Sequence, residues 1–125
     1  MAATKIRYQS RSVEQHIDRP RSDIWPNVLA MVRSWEPSAE LAVESPWRIA
    51  YEMATDGSPL TFWQSTVLIR DDGPTCHVAW GLVFDPEPSD DALAEAERLL
   101  EVMSAQLGDL AAGRVDDDAG EGQTA

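Results

Sequence analysis

Apolar and polar residues alternate along several stretches of the chain with a period of two, which is the spacing of a strand with one covered side and one side in water. The alternation predicts strands over residues 13–17, 40–44, 47–54, 61–70 and 75–84. Two turn sequences, Asp56-Gly57-Ser58-Pro59 and Asp71-Asp72-Gly73-Pro74, separate the last three strands. Consecutive strands joined by such turns pair in antiparallel fashion, so we predict an antiparallel meander.

The alternation also assigns side chains to the covered face of each strand. Gln15 shares a face with the apolar Val13 and Ile17. In the last strand one face carries only apolar residues, namely Cys76, Val78, Trp80, Leu82 and Phe84. His77 is therefore expected to point to the opposite side. For residues 61–70 the covered face stays open between two sets, Trp63, Val67 and Ile69 or Phe62 and Leu68.

Two other segments have the three-and-four spacing of an amphipathic helix. The first follows Ser22 or Asp23, either of which can cap it, and ends at Glu36-Pro37. The second begins at Ser89, a favoured N-cap, and carries the apolar stripe Leu93, Ala96, Leu100, Met103, Leu107 and Leu110. We expect this stripe to pack on the chain's own sheet, which makes the fold class α+β. The alternative is an intermolecular coiled coil and hence a homodimer.

Composition restricts the partners and the location. The 125 residues carry a formal net charge of −12, which repels a nucleic-acid backbone or an anionic membrane surface, so we expect neither as a partner. No run approaches the roughly 18 apolar residues of a membrane span, and residues 1–10 lack the apolar stretch of a signal peptide, so a cytoplasmic location is expected. We expect one domain over residues 5–112 and a disordered acidic tail over residues 113–125.

Four segments resemble the fold markers of the SRPBCC superfamily, which is also called START-like or Bet v 1-like and includes the polyketide cyclase/dehydrase proteins. They are residues 13–20 leading into Asp23-Ile24-Trp25 and Leu29, Trp35-Glu36-Pro37, Pro46-Trp47-Arg48-Ile49-Ala50-Tyr51, and Asp72-Gly73-Pro74-Thr75 with Val78 and Trp80. The resemblance implies the helix-grip fold, an antiparallel β-sheet of about five strands packed on a long C-terminal α-helix. Such domains usually carry more strands, so this chain resembles a shortened member, with a cavity that is smaller, more open or completed by a second subunit.

The resemblance also implies a function. It favours binding of a hydrophobic small molecule, aromatic or polyketide-like, between the sheet and the C-terminal helix, with a cofactor-independent cyclase or dehydratase as the catalytic version. The alternative is a non-enzymatic protein-interaction module, similar to the Hsp90-ATPase activators, that acts through its acidic surface. Whether the protein is an enzyme stays open from the sequence.

Under the helix-grip interpretation, side chains that face the cavity are expected to bind the ligand: Trp25, Trp47, Met53, Trp63, Trp80, Met103 and Leu107. The candidate catalytic residues are Tyr51, as a proton donor to a developing enolate, and Gln15, as an amide that orients a carbonyl. The alternative is that the aromatic residues fill a small core and that Gln15 bonds a neighbouring hydroxyl or backbone group. One cysteine and two histidines make a poor set of zinc ligands, so we expect neither a metal nor a cofactor.

Overall fold

The computed structural model describes residues 6–113, which form strands and helices in the predicted order. The strands are β1 (Gln9–Ile17), β2 (Ala39–Glu44), β3 (Arg48–Glu52), β4 (Trp63–Asp72) and β5 (Thr75–Phe84). The helices are α1 (Arg21–Arg33), between β1 and β2, and α2 (Asp90–Ala111), after β5. The α+β class is therefore confirmed. The acidic tail predicted for residues 113–125 lies outside the described residues, except for Gly113.

The five strands form one antiparallel sheet in the order β1-β5-β4-β3-β2. The meander of β3, β4 and β5 is confirmed, and β1 closes the other side by pairing along its whole length with β5. The register places Trp63 and Val67 of β4 on the same face as the apolar residues of β5. Leu68 lies on the outer face and is 44% exposed. The covered face of β4 is thus the one that carries Trp63.

Helix α2 packs on the inner face of the sheet, against β1 and β5. The hydroxyl of Ser89 accepts a hydrogen bond from the N–H of Ala92 at 3.0 Å, which confirms the predicted N-cap. The buried stripe of α2 consists of Ala92, Ala96, Leu99, Met103, Leu107 and Leu110. Leu93 was predicted to belong to this stripe but is 37% exposed. At the start of the helix it is Ala92, not Leu93, that faces the sheet. The chain's own sheet covers the stripe, so the stripe is not free to form a coiled coil, and the homodimer itself stays a prediction.

Helix α1 begins earlier and ends earlier than its pattern predicts. Pro20 is the N-cap residue, so neither Ser22 nor Asp23 caps the helix. The buried residues of α1 are Ile24, Trp25, Val28, Met31 and Val32, and this packing sets the helix in place of a side-chain cap. The helix ends at Arg33, so Trp35 belongs to the connection that follows. Neither α1 nor α2 is long and apolar enough to cross a membrane.

Strand β2 forms one edge of the sheet. Leu41 and Val43 are 49% and 43% exposed, so the prediction that one face of this strand is covered is wrong. The register with β3 shifts between Glu40 and Ala42, which displaces Leu41 from the regular alternation. Glu40 holds the strand to the end of α1 through an ion pair with Arg33 at 2.8 Å. An edge strand with a bulge therefore leaves apolar side chains in water.

Candidate functional site

Four side chains with hydrogen-bonding groups lie on the inner face of the central strands. They are Tyr51 on β3, Trp63 and Ser65 on β4, and Trp80 on β5. Tyr51 lies directly opposite Ser65, and Trp63 shares the face of Ser65 because it lies two residues before it. The four residues are between 0% and 8% exposed. We call them the inner polar cluster.

Tyr51 and Trp80 are joined by a buried hydrogen bond, in which the indole Nε1 of Trp80 donates to the phenol oxygen of Tyr51 at 2.9 Å. Burial raises the pKa of Tyr51 to about 12, although the interactions with Trp80 and Ser65 oppose the rise. A phenol with this pKa is protonated at neutral pH. Tyr51 can therefore donate a proton or a hydrogen bond, but it is no base.

The other two members of the cluster hold unpartnered polar atoms. The Nε1 of Trp63 and the Oγ of Ser65 are buried and make no hydrogen bond of acceptable geometry to any described residue. The Ser65 hydroxyl lies close enough to Tyr51 to lower the pKa of the phenol, but the two groups do not meet the geometry of a hydrogen bond. Buried polar atoms are rarely left without a partner, so these two are the hydrogen-bonding groups of the inner polar cluster that remain available.

Trp35 covers the cluster from the side of the helices. Its ring centre lies 6.1 Å from that of Trp63 and 5.7 Å from that of Trp80, edge to face in both cases. Its Nε1 donates a hydrogen bond of 2.8 Å to the Oε1 of Gln106 on α2. Trp35 itself is only half-buried, whereas Trp80 beneath it is fully buried. One indole thus links the sheet, the helix α2 and the solvent.

The other predicted ligand residues are divided between the core and the surface. Met103 and Leu107 on α2 are each 1% exposed, and Trp25 on α1 is 7% exposed. Met53, just after β3, is half-buried against the core. Trp47 is 40% exposed at the turn between β2 and β3, so it lies at the rim of the inner face rather than inside it.

Gln15 does not join the inner polar cluster. It is half-buried on β1, and its Nε2 donates to the carbonyl oxygen of the adjacent His16 at 2.9 Å. Three strand spacings of about 4.8 Å, or roughly 14 Å, separate it from Tyr51 across the sheet. The structure therefore does not bring the two candidate catalytic residues together, and the backbone bond of Gln15 matches the alternative interpretation.

His77 and Cys76 on β5 are accounted for by their surroundings. His77 lies on the outer face, as predicted, and its Nε2 is 2.7 Å from Glu14. Burial raises the pKa of the Cys76 thiol, which suppresses its reactivity. No group of three or more His, Cys, Asp or Glu side chains within residues 6–113 is arranged to hold a metal ion.

Sequence reasoning missed three residues around the site. Ser65 is a polar residue in the period-two pattern of β4, where Trp63 and Val67 are apolar, and that break could have identified it. Gln106 lies beside the apolar stripe of α2 but gives no signal of its own. Asp85, only 4% exposed, accepts hydrogen bonds from the backbone N–H groups of Thr61 and Phe62 and so holds the start of β4.

Comparison with solved structures identifies the fold. The di-domain ARO/CYC BexL from the BE-7585A biosynthetic pathway matches with a TM-score of 0.60 and 13% identity over 90% of this chain and 48% of BexL, so this chain spans about half the length of that protein. XoxI from Bacillus cereus matches with a TM-score of 0.62 and 15% identity over 87% of this chain and 97% of that one. A Thalictrum flavum norcoclaurine synthase point mutant, in complex with a transition state analogue, matches with a TM-score of 0.57 and 10% identity over 91% and 99%.

These likenesses establish the fold alone, because the identities are low. No protein-family model matches the chain, and no curated protein sequence matches it. The chain has the helix-grip fold that its sequence resemblance implied, with five strands in the sheet and α2 as the long C-terminal helix.

Proposed function

We propose that this domain binds a small apolar molecule, aromatic or polyketide-like, that carries at least one hydrogen-bonding oxygen, and that it does so between the sheet and α2. The observation that carries the proposal is the pair of unpartnered polar atoms, Trp63 Nε1 and Ser65 Oγ, inside an otherwise apolar core. Leaving such a group without a partner costs about 1–3 kcal/mol. A ligand oxygen that accepts from both groups would recover this cost.

The apolar part of the ligand would contact the side chains around the cluster. Met103 and Leu107 of α2 supply aliphatic surface, and Trp80 and Trp63 supply flat aromatic surface. A few polar groups within an apolar lining are typical of sites that orient a small molecule. One of the structures that share this fold, the norcoclaurine synthase point mutant, is in complex with a transition state analogue, which supports a small molecule as the ligand.

A catalytic version of the proposal is a cofactor-independent cyclase or dehydratase in which Tyr51 donates a hydrogen bond to a developing enolate oxygen. The raised pKa of Tyr51 supports the donor role because it keeps the phenol protonated. Gln15 is too distant to act on the same oxygen as Tyr51. In this version Tyr51→Phe would abolish turnover while a ligand still binds. Unchanged turnover in that variant would remove Tyr51 from the chemistry.

The binding proposal is tested by native mass spectrometry and tryptophan fluorescence with a panel of aromatic ketones and polyketide-like phenols. We expect Ser65→Ala and Trp63→Phe to weaken the affinity for an oxygen-bearing ligand by about fivefold to tenfold each, which corresponds to one lost hydrogen bond. Ser12→Ala on β1, an exposed serine, is the matched control and should bind like the wild type. A panel without a single binder would mean that the two polar atoms hold only water.

The alternative of a protein-interaction module stays a prediction. The exposed Leu41, Val43 and Trp47 on the hairpin of β2 and β3 are the apolar surface that favours it. The neighbouring Glu40 and Glu44 are paired with Arg33 and Arg48, so the attraction for a basic partner would come from the net charge of −12. If the ligand panel fails, the hairpin is the first place to substitute, with Leu41→Ser and Val43→Ser in a binding assay against basic proteins.

A further inference from the structure

Trp35 lies in an irregular segment of the backbone, whereas the residues that it contacts lie in strands and a helix. It belongs to the connection over residues 34–38, which joins the end of α1 to the start of β2. Its contacts belong to regular elements, since Trp63 is on β4, Trp80 is on β5 and Gln106 is on α2. The next residue, Glu36, has a φ of 57°, a conformation that costs free energy for a residue with a side chain. A side chain from a short, strained connection thus fills space between elements held by the core.

The position of Trp35 overlaps with the place proposed for the ligand. Trp63 and Trp80, the two rings that it touches, both belong to the inner polar cluster. Because Trp35 is half-buried while Trp80 is fully buried, moving the indole outward would uncover the cluster. The one polar contact of the Trp35 side chain, to Gln106, would be released in the same movement.

We infer that Trp35 occupies the ligand position when no ligand is bound, and that the ligand is a planar bicyclic aromatic molecule with an N–H or O–H donor directed at Gln106. This inference rests on the proposed function and narrows it. A ring system of the size of indole would replace the edge-to-face contacts with Trp63 and Trp80, and its donor would replace the bond from Trp35 to Gln106. Replacing the Trp35 indole by such a ring would keep the contacts with Trp63, Trp80 and Gln106. A smaller or non-planar molecule would lose some of these contacts and bind less tightly.

The test uses indole and benzothiophene as the bicyclic part of such a ligand without its oxygen, so that it probes the place of Trp35 separately from the contacts with Trp63 and Ser65. The two molecules are of similar size, and only indole has an N–H donor. In wild-type protein, one of the five tryptophan indole N–H signals in a proton–nitrogen NMR spectrum belongs to Trp35 and is identified by its loss in Trp35→Phe. We expect indole to shift this signal and to speed up its exchange with water. Benzothiophene should do so at about fivefold higher concentration, because it lacks the bond to Gln106.

A second measurement uses Trp35→Ala, in which the place of the indole is vacant. This variant should bind indole at least about tenfold more tightly than the wild type, since no side chain has to be displaced. Adding Gln106→Leu to Trp35→Ala should weaken the affinity for indole about fivefold. It should change the affinity for benzothiophene by no more than about twofold. If Trp35→Ala does not fold, the wild-type NMR titration decides alone.

The outcomes separate the inference from the function on which it rests. Binding of an apolar compound to the wild type without any change in the Trp35 signal would overturn the inference and leave the proposed function standing. Binding of indole to Trp35→Ala but not to the wild type would mean that Trp35 is a permanent part of the core, and this also overturns it. An equal response to indole and benzothiophene would overturn the assignment of Gln106. No binding to either protein would overturn the inference, and the wider ligand panel would then judge the function.

Discussion

The indole Nε1 of Trp80 donates a hydrogen bond of 2.9 Å to the hydroxyl of Tyr51, and both residues are at most 1% exposed. Each side chain therefore supplies the polar partner that the other needs in an apolar core. The bond also connects β5 to β3 across β4, because the two strands are not neighbours in the sheet. The pair is thus both a structural link and the part of the inner polar cluster that is already satisfied.

Removing the hydroxyl should leave the Trp80 indole without its partner. We expect Tyr51→Phe to lower the free energy of unfolding by about 1–3 kcal/mol, measured by urea denaturation. Tyr8→Phe is the matched control, because Tyr8 is 44% exposed and should change stability by less than about 0.5 kcal/mol. Equal stability of the two variants would mean that the bond between Trp80 and Tyr51 contributes nothing.

The raised pKa of Tyr51 predicts a loss of stability in alkali. The pKa is about 12 in the folded protein against an ordinary value of 10.0, so the contribution is fully present below pH 10.0 and is lost as the pH rises through about 12. The midpoint of urea denaturation should therefore fall over this range. In Tyr51→Phe this midpoint should fall less steeply with pH. If the midpoints of the two proteins fell in parallel, the raised pKa of Tyr51 would be contradicted.

Asp85 predicts a loss of stability at the acid end. Burial disfavours its charged form, but the backbone N–H groups of Thr61 and Phe62, at 2.8 and 3.0 Å, outweigh burial and lower the pKa of the carboxyl below its usual 3.8. Its contribution is therefore present above about pH 3.8 and is lost as the pH falls through the lower folded value.

Asp85→Asn should destabilise the protein by about 1–2 kcal/mol at neutral pH, since hydrogen bonds to a charged acceptor are stronger than those to an amide. The variant should also lose less stability than the wild type in acid. Asp56→Asn, in an exposed turn, is the control that should leave the acid limb of the stability curve nearly unchanged. If Asp85→Asn lost as much stability in acid as the wild type does, a group other than Asp85 would be responsible for that loss.

The phase of α2 can be tested with a pair of leucines. Leu99 is 2% exposed and Leu93 is 37% exposed, whereas the spacing in the sequence placed Leu93 in the stripe and left Leu99 out. We expect Leu99→Ala to cost about 2–5 kcal/mol and Leu93→Ala less than about 1 kcal/mol in urea denaturation. A larger loss for Leu93→Ala than for Leu99→Ala would mean that Leu93 faces the core, as the spacing in the sequence predicted.

The sequence predicts elements well where one face is covered along their whole length. The bounds of β5 agree at both ends, and His77 points outward as expected, because strict alternation follows directly from the pleat of a strand. The choice between Trp63 and Leu68 in β4 could not be made in this way, because both faces carry large apolar residues. Pairing with β5 and packing under Trp35 decide that choice, and both are tertiary contacts.

The candidate site was predicted only in part. Tyr51 and Trp80 were identified because their strands alternate clearly, but the bond between them depends on the register of three strands. Trp35 was expected to lie within the first helix, which was predicted to run to Glu36-Pro37 but ends at Arg33. Gln15 has the predicted face, yet three strand spacings separate it from Tyr51, a distance that the order of strands along the chain does not reveal.

The open edge of the sheet also affects the behaviour of the protein in concentrated solution. Strand β2 exposes Leu41 and Val43, and Glu40 and Glu44 flank them on the same strand. These glutamates are paired with Arg33 and Arg48, so at neutral pH it is the net charge of −12 that keeps two molecules apart. Near the isoelectric point of about 4.3 this repulsion disappears, so precipitation should begin there through contacts between β2 strands, and a lysine in place of Val43 should suppress it.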